Sequence, residues 1–384
     1  MQQKAKTFGE DLKLLKKYTD VIVLSDDAGK ARVAVVPRYQ GRVMTSTAGG
    51  EAGFSFGWIN NELITSGKLQ PQINAYGGED RFWLGPEGGQ FSLYFKKGDS
   101  FELSNWKVPA VLDTEPYGVV SKARDTISLS KTTKLTNYSG IVFDIKMDRT
   151  IRLLGAEAIK KALGVQVTGT VESIVFESEN TITNIGKEPW KKATGLVGIW
   201  VLGMFAPSPD TTVVIPLIPG PEDKLGPKVK AYFGIKIPPE RLVVKENALF
   251  FAGDGQYRCK IGITPQRAKP VLGSYDAANR VLTIVQYNKP QGVTDYVNSL
   301  LEIQKKPFVG DVLNSYNDGP ASPGAKPFGP FYELETSSPA VELAPSKGLS
   351  HIHRTFHFQG PEKDVDKIAK ATLGVSLKEI KSTL

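Results

Sequence analysis

The sequence predicts an all-β fold, a large sandwich of antiparallel sheets with a few short peripheral helices. Runs in which β-branched or aromatic residues alternate with polar ones recur along most of the 384 residues. Glycine, proline, asparagine and aspartate separate these runs, as in Gly253-Asp254-Gly255. Because most runs are not separated by a helical crossover, successive strands are expected to pair antiparallel, which favours a sandwich over an α/β fold.

The predicted strands share this alternation and the short length that is usual for strands. In chain order they are residues 21–24, 32–36, 42–47, 91–95, 126–135, 140–147, 171–177, 196–202, 212–217, 241–244, 248–252, 257–264, 280–287, 331–334 and 354–358.

Helical patterns are few. Residues 7–18 begin with Thr7 and Glu10, the spacing of a capping box, and continue with one apolar face. Residues 156–163 and 361–373 are two further helical segments, and each is followed by a glycine, the usual residue after a helix end.

A single domain spanning residues 1–384 is predicted, with the helices at about 7–18 and 361–373 packed on it. The candidate boundary is the proline-rich segment 319–330. Strands follow this segment at once, so a long surface loop beside the terminal strands is favoured over a domain linker. Loops of this length in a compact fold often carry function. The oligomeric state stays open.

Charge and hydropathy exclude several classes of function. The net charge is +8, but the basic residues are dispersed, and Lys13, Lys16 and Lys17 lie on a predicted helix with acidic neighbours. Because a basic stripe with stacking aromatics is lacking, no nucleic-acid partner is expected. No run approaches the ~20 apolar residues of a membrane span. The first residues lack the apolar region of a secretory signal.

Cysteine and cofactor chemistry are not expected either. Cys259 is the single cysteine, so an internal disulfide is excluded. It lies in an alternating run with no histidine nearby in sequence, which favours a half-buried structural cysteine over a nucleophile. The glycine-rich segment 75–89 is not followed by the Lys-Ser/Thr pair of a phosphate-binding loop, so no nucleotide cofactor is predicted.

Ionisable groups that can act near neutral pH are concentrated towards the end of the chain. Glu333 and Glu335 lie two residues apart on a predicted strand and therefore share one face. On an inner, partly desolvated face, such a carboxylate could serve as a general base. The alternative is a solvent-facing pair on a strand that turns Tyr332 and Leu334 inward.

All three histidines follow shortly afterwards. His351, His353 and His357 have the same parity, so one strand face could carry them all. Residues two apart on a strand are separated by ~6.5–7 Å, so His357 could not join the other two at one metal ion without a bend. A histidine that contacts sugar or donates a proton is therefore favoured over a metal site, and a structural role stays open.

The segment 75–89 is dense in glycine, charge and aromatic residues. The planar guanidinium of Arg81 and the indole of Trp83 suit sugar hydroxyls and the apolar face of a pyranose. Glu79 and Asp80 could bond further hydroxyls. The alternative is a glycine-rich corner held by an Arg–Glu pair.

Taken together, these segments resemble the galactose mutarotase-like superfamily, the β-supersandwich shared by aldose 1-epimerases, and look closest to an uncharacterised bacterial branch of it. Aldose 1-epimerases carry a Leu-Glu-Thr-Gln strand, then a proline turn and a closing strand. The matching positions here are Leu334-Glu335-Thr336, Pro339, Leu343-x-Pro345 and Thr355-Phe356-His357-Phe358. Residues 41–46 are similar to the opening strand of the family.

The resemblance implies that Glu335 is the general base and that Arg81 binds sugar. It also identifies a departure, because the mid-chain histidine that protonates the ring oxygen in the family is missing, and Trp200 lies nearest to its place. His353 or His351 would then have to supply the acid, and Trp200 and His357 would contact the sugar.

Two hypotheses follow from the resemblance. The first is a carbohydrate-binding protein that recognises a saccharide in a concave groove of the β-sheet. The sugar rings would then stack on Trp58, Trp83, Trp106 or Trp200. The alternative is an active epimerase, lyase or hydrolase that uses Glu335 with a terminal histidine. A saccharide is the expected partner in both cases, and a periplasmic or secreted location is expected from that substrate class alone.

Overall fold

The structure is a computed structural model, and it describes residues 6–234, 236–320 and 324–384. Its strands are numbered in chain order. They are β1 Ile22–Ser25, β2 Arg32–Val36, β3 Arg42–Thr47, β4 Arg81–Gly85, β5 Gly118–Lys122, β6 Thr126–Thr136, β7 Val142–Leu154, β8 Glu172–Asn184, β9 Gly198–Phe205, β10 Thr211–Pro216, β11 Lys230–Ala231, β12 Leu242–Val244, β13 Ala248–Ala252, β14 Cys259–Ile263, β15 Val271–Asp276, β16 Val281–Tyr287, β17 Leu313–Asn317, β18 Tyr332–Ser337 and β19 Gly348–Gln359.

The helices are short and lie between or beyond the strands. They are α1 Phe8–Tyr18, α2 Asn61–Ser66, α3 Ala110–Asp113, α4 Ala156–Leu163, α5 Glu222–Leu225, α6 Glu362–Leu373 and α7 Leu377–Thr383. The capping box predicted at the start of α1 is present, since Glu10 N–H donates to Thr7 Oγ1 and Thr7 N–H donates to the Glu10 carboxylate. Over the described ranges, none of these helices has the length and apolar character needed to span a membrane.

The strands form three antiparallel sheets. One has the order β12-β13-β10-β15-β16-β19-β8-β7-β6-β5, a second has the order β11-β14-β17-β18-β9-β4, and a small third sheet is β1-β2-β3. Non-consecutive neighbours such as β8 and β19 show that the chain returns to the ten-stranded sheet at its end. As a result, β18 and β19, which follow each other in sequence, belong to different sheets.

The main core lies between the six-stranded and ten-stranded sheets. Ile261 and Leu334 of the first sheet pack with Val213, Leu272 and Val285 of the second, and all five are fully buried. The alternation along each strand places the neighbouring residues on the opposite faces. On the far side of the ten-stranded sheet, α6 and α7 cover a second apolar cluster.

The antiparallel β-sandwich predicted from sequence is confirmed. The strand predicted at 91–95 is wrong, although Leu93, Tyr94 and Phe95 are buried. Their backbone is satisfied locally rather than by a ladder, because Leu93 N–H donates to Pro86 O and Tyr94 N–H donates to Ser92 Oγ. Alternating aromatic residues indicate burial here but not strand pairing.

Several real strands escaped prediction, namely β4, β5, β11, β15 and β17. Four of these five carry at most one β-branched residue. β17 reads Leu-Asn-Ser-Tyr-Asn, and β15 contains Gly273. Of the proline-rich loop, residues 321–323 lie outside the described residues, and the segment from 324 onward leads into β18.

Candidate functional site

The outer face of the six-stranded sheet, which is turned away from the ten-stranded sheet, carries charged and aromatic side chains. Leu334 of β18 packs in the core between the sheets, so Glu333 and Glu335 project to the outer face. Glu333 lies directly opposite Tyr316 of β17 and Met204 of β9. Cross-strand neighbours share a face, so these side chains lie side by side on the outer surface of the sheet.

A pocket of about 170 Å³ opens on this face. Loop residues around 72–75, 103–106 and 328–331 enclose it above the strands. Its charged and aromatic lining consists of Arg81, Glu87, Arg258, Lys260 and Glu333 together with Trp83, Trp106, Trp200, Phe233, Tyr316, Phe328 and Phe331. A concave site that mixes aromatic walls with a few convergent charges is typical of a small-molecule binding site.

An ion pair between Arg81 and Glu333 forms part of the wall of the pocket. Both side chains are almost fully buried, and the Arg81 guanidinium also lies 5.0 Å from the centre of the Trp83 ring. Burial raises the pKa of Glu333 to about 8, against the opposing effect of Arg81 and with a further increase from Glu335. Glu333 is therefore a carboxyl group that can hold or release a proton near neutral pH.

This raised pKa predicts a pH dependence of stability. The pKa of Glu333 is about 8 in the folded protein and near 4.5 in the unfolded chain, so the folded state binds more protons between these values. The corresponding stabilisation is complete below about pH 4.5 and is lost as the pH rises towards about 8. As the pH rises from 5 to 8, the free energy of unfolding of the unaltered protein should fall by more than about 1 kcal/mol relative to that of Glu333→Gln, as measured by denaturant unfolding. Parallel stability curves would contradict the raised pKa.

Glu335 lies beneath the pocket wall, with no exposed surface. Its Oε2 is 3.1 Å from Lys260 Nζ and accepts a hydrogen bond of 2.8 Å from Trp200 Nε1. Burial alone would lower the pKa of Lys260, but Glu335, Glu87 and Glu333 together raise it, so this lysine is a cation. Lys260 Nζ also lies 4.5 Å from the centre of the Trp200 ring, which joins the three side chains into one unit.

The structure does not bring His351 and His353 together with Glu335. Both belong to β19 of the ten-stranded sheet, and their rings bond to the hydroxyl of Thr336 inside the sandwich, at 2.7 and 2.9 Å. Thr336 and Glu335 are adjacent on β18 and so point to opposite faces. Burial lowers the pKa of His351 to about 3 and that of His353 to about 4, so both rings are neutral at pH 7.

Glu79 and His357 also lie inside the sandwich rather than in the pocket. His357 Nε2 is 2.8 Å from Glu79 Oε2, and its Nδ1 is 2.9 Å from Thr283 Oγ1. The same Glu79 oxygen accepts from Ser46, and the ring of Phe56 stacks on His357 with 4.1 Å between ring centres. These contacts give both residues structural partners and connect the ten-stranded sheet with β3 and with the segment that precedes β4.

Asp80 is likewise a core residue. Its carboxylate pairs with Arg149 at 2.6 Å and accepts a hydrogen bond of 2.7 Å from Ser178, and none of the three side chains is exposed. Of the predicted substrate-binding residues, the pocket therefore brings together Arg81, Trp83 and Trp200.

Sequence reasoning missed Arg258, Lys260 and Glu87 as pocket residues, whereas it named Trp106 as a candidate for stacking on sugar. For the two cations a signal was present, since both alternate with Cys259 in the predicted strand 257–264. Because Cys259 and Ile261 face the core, Arg258 and Lys260 must face outward onto the pocket. For Glu87, which comes from a loop, no local pattern exists.

Comparison with known proteins fits this architecture. Residues 6–384 match the model of DUF6786, a family of unknown function. The chain belongs to DUF6786. Among curated proteins, none matches this sequence.

Solved structures show which fold this DUF6786 protein shares. An Escherichia coli K12 protein assigned provisionally as an aldose 1-epimerase is 12% identical with a TM-score of 0.53, over 89% of this chain and 99% of that one. A galactose mutarotase-like protein of Lactobacillus casei is 10% identical with a TM-score of 0.51, over 88% and 100% of the two chains. The Slr1438 protein of Synechocystis is 14% identical with a TM-score of 0.50, over 89% and 96%. The predicted galactose mutarotase-like fold is confirmed.

Proposed function

We propose that the pocket on the outer face of the six-stranded sheet binds a saccharide. The observation that supports this most is the buried Arg81–Glu333 pair beside the Trp83 ring in the wall of the pocket. A guanidinium and a carboxylate together offer donors and acceptors to sugar hydroxyls, and the aromatic walls suit the C–H faces of a pyranose ring.

Buried polar atoms in and beneath the pocket support the same proposal. Within the described residues, Arg81 Nε, Trp83 Nε1 and Glu335 Oε1 are buried and lack a hydrogen-bond partner. Buried polar groups are normally paired, and a polyhydroxylated ligand supplies both donors and acceptors. Two of the proteins with this fold are described as galactose mutarotase-like and as an aldose 1-epimerase, which agrees with a sugar ligand.

Saccharide binding is tested by titrating the protein with a panel of mono- and disaccharides and following heat or tryptophan fluorescence. We expect Trp83→Phe to weaken the affinity about tenfold, because it removes the indole N–H and part of the apolar wall. Trp190→Phe is the matched control, since Trp190 is buried against Phe143 in the core and does not line the pocket. Equal affinities for Trp83→Phe and the unaltered protein would contradict the assignment.

A second candidate function is interconversion of sugar anomers. The observation that favours it is the raised pKa of Glu333, about 8, on a wall of the pocket. In this reaction Glu333 would protonate the ring oxygen, and Glu335 would take the proton of the anomeric hydroxyl once Trp200, which bonds its carboxylate, moves aside to expose it. The bond between C1 and the ring oxygen then breaks, and the open aldehyde recloses on its other face.

This activity is tested by following anomer exchange of glucose and galactose by NMR. If it exists, Glu333→Gln and Glu335→Gln should each reduce the catalysed rate by about 100-fold or more. If the unaltered protein does not accelerate anomer exchange above its spontaneous rate, saccharide binding without turnover would remain as the proposed function.

A further inference from the structure

A guanidinium to which the described residues offer no ion-pair partner lies at the edge of the pocket. Arg258 precedes β14, is half-buried and lines the same pocket as Arg81 and Lys260. Those two cations are paired with Glu333 and Glu335. Arg258, by contrast, forms no ion pair and donates no hydrogen bond to any residue in the described part of the chain. Its donors are therefore available to a ligand.

Two phenyl rings hold this guanidinium in place. The Cζ atom of Arg258 lies 5.3 Å from the centre of the Phe233 ring and 5.9 Å from that of Phe328. Contact with aromatic rings restrains a guanidinium and leaves its N–H groups free to bind an acceptor. Phe328 is 45% exposed, so this edge of the pocket is open to solvent.

Phe233, which forms part of this edge of the pocket, has a strained backbone conformation. Phe233 has a φ of 62°, in the left-handed region that a bulky residue rarely adopts, and Gly234 follows with a φ of 64°. Its ring packs against Tyr316 as well as Arg258. Strain of this kind is concentrated at ligand sites.

The acidic groups near Arg258 have other partners or are weakened as anions. Asp318 accepts hydrogen bonds from the Tyr316 hydroxyl at 2.6 Å and from Gly329 N–H at 2.9 Å. Glu333 is held by Arg81. Burial raises the pKa of Glu87, and the positive charges of Lys260 and Arg258 only oppose that increase. Arg258 therefore interacts electrostatically with Asp318 and Glu87 but forms an ion pair with neither, so its N–H donors stay available to a ligand.

We propose that the natural ligand is an acidic saccharide, whose carboxylate, phosphate or sulfate group binds Arg258 at the edge of the pocket. This inference rests on the proposed saccharide-binding function and specifies its ligand class. The sugar ring would lie along Trp83 and the Arg81–Glu333 pair, and the anionic substituent would extend towards Phe233 and Phe328. A guanidinium fork is suited to oxyanions because it can donate two parallel hydrogen bonds.

The test is calorimetric titration with glucose and galactose and with their uronate, 6-phosphate and 6-sulfate forms. The three anionic series separate a carboxylate site from a phosphate or sulfate site. In the unaltered protein, at least one anionic form should bind about tenfold or more tightly than its neutral parent. Arg258→Gln should reduce this preference to below about threefold, and Arg258→Lys should retain part of it.

Arg124→Gln is the charge-matched control, because Arg124 is exposed in the turn between β5 and β6 and pairs with Asp27. It should leave the preference unchanged. Neutral sugars that bind as tightly as every anionic form would overturn the acidic-ligand inference and leave saccharide binding intact. The same conclusion would follow from a preference that survives in Arg258→Gln. Absence of binding in all series would overturn both proposals.

Discussion

Replacing Arg149 by methionine is expected to lower the free energy of unfolding by about 3–5 kcal/mol. Arg149 Nη2 lies 2.6 Å from Asp80 Oδ1 in the core between the sheets, and neither side chain is exposed. Removing the guanidinium leaves the Asp80 carboxylate buried, with Ser178 as its one remaining side-chain donor among the residues that the structure describes. An isolated buried charge costs far more than an exposed one because the interior cannot solvate it.

Urea denaturation of purified Arg149→Met measures this loss. Arg124→Gln is the control, since its ion pair with Asp27 is exposed and should contribute less than about 1 kcal/mol. The double variant Arg149→Met/Asp80→Leu should recover much of the lost stability, because no charge is then left buried. A loss below about 1 kcal/mol for the single variant would show that Asp80 is not the core residue described above.

Lys260→Met is expected to damage both the fold and the site. The Glu335 carboxylate would keep the Trp200 hydrogen bond but lose the only cation that the described residues place within ion-pair distance of it. We expect a loss of about 3–5 kcal/mol in unfolding free energy. Saccharide affinity should fall by about 100-fold or more, because Trp200 also loses the ammonium group that lies over its ring.

A double-mutant cycle separates the Lys260–Glu335 interaction from the other effects of the two substitutions on stability. Glu335→Gln in the Lys260→Met background removes the uncompensated charge and keeps an amide oxygen that can accept from Trp200 Nε1. The coupling between the two positions should therefore be favourable by about 1–3 kcal/mol. Additive effects of the two substitutions on stability would contradict a direct Lys260–Glu335 interaction.

The strand pattern predicted the architecture better than it predicted the site. Alternation located most strands of the ten-stranded sheet and half of those of the six-stranded sheet, because the period of two is visible in the sequence where one face of a strand is buried. It failed at β17, whose outward residues Asn314 and Tyr316 lie opposite Glu335 and Glu333 of β18. A strand that presents polar groups on one face and Ser315 and Asn317 on the other has little apolar periodicity to detect.

The positions of the histidines show why the predicted pairing of Glu335 with His351 or His353 does not form. Parity correctly grouped His351, His353 and His357 on one face, since all three are buried inside the sandwich. Parity does not state which sheet a strand joins, and β19 lies beside β8 and β16 rather than beside β18. The inward face of β19 meets Thr336, whereas Glu335 points away from it. Only the long-range pairing decides this, and no local pattern encodes it.

A crystal structure of the protein with the saccharide selected by titration tests the central claim most directly. The account predicts sugar density against Trp83 on the outer face of the six-stranded sheet, with hydroxyls within hydrogen-bonding distance of Arg81 and Glu333. Density confined to another surface, with this pocket unchanged, would contradict it.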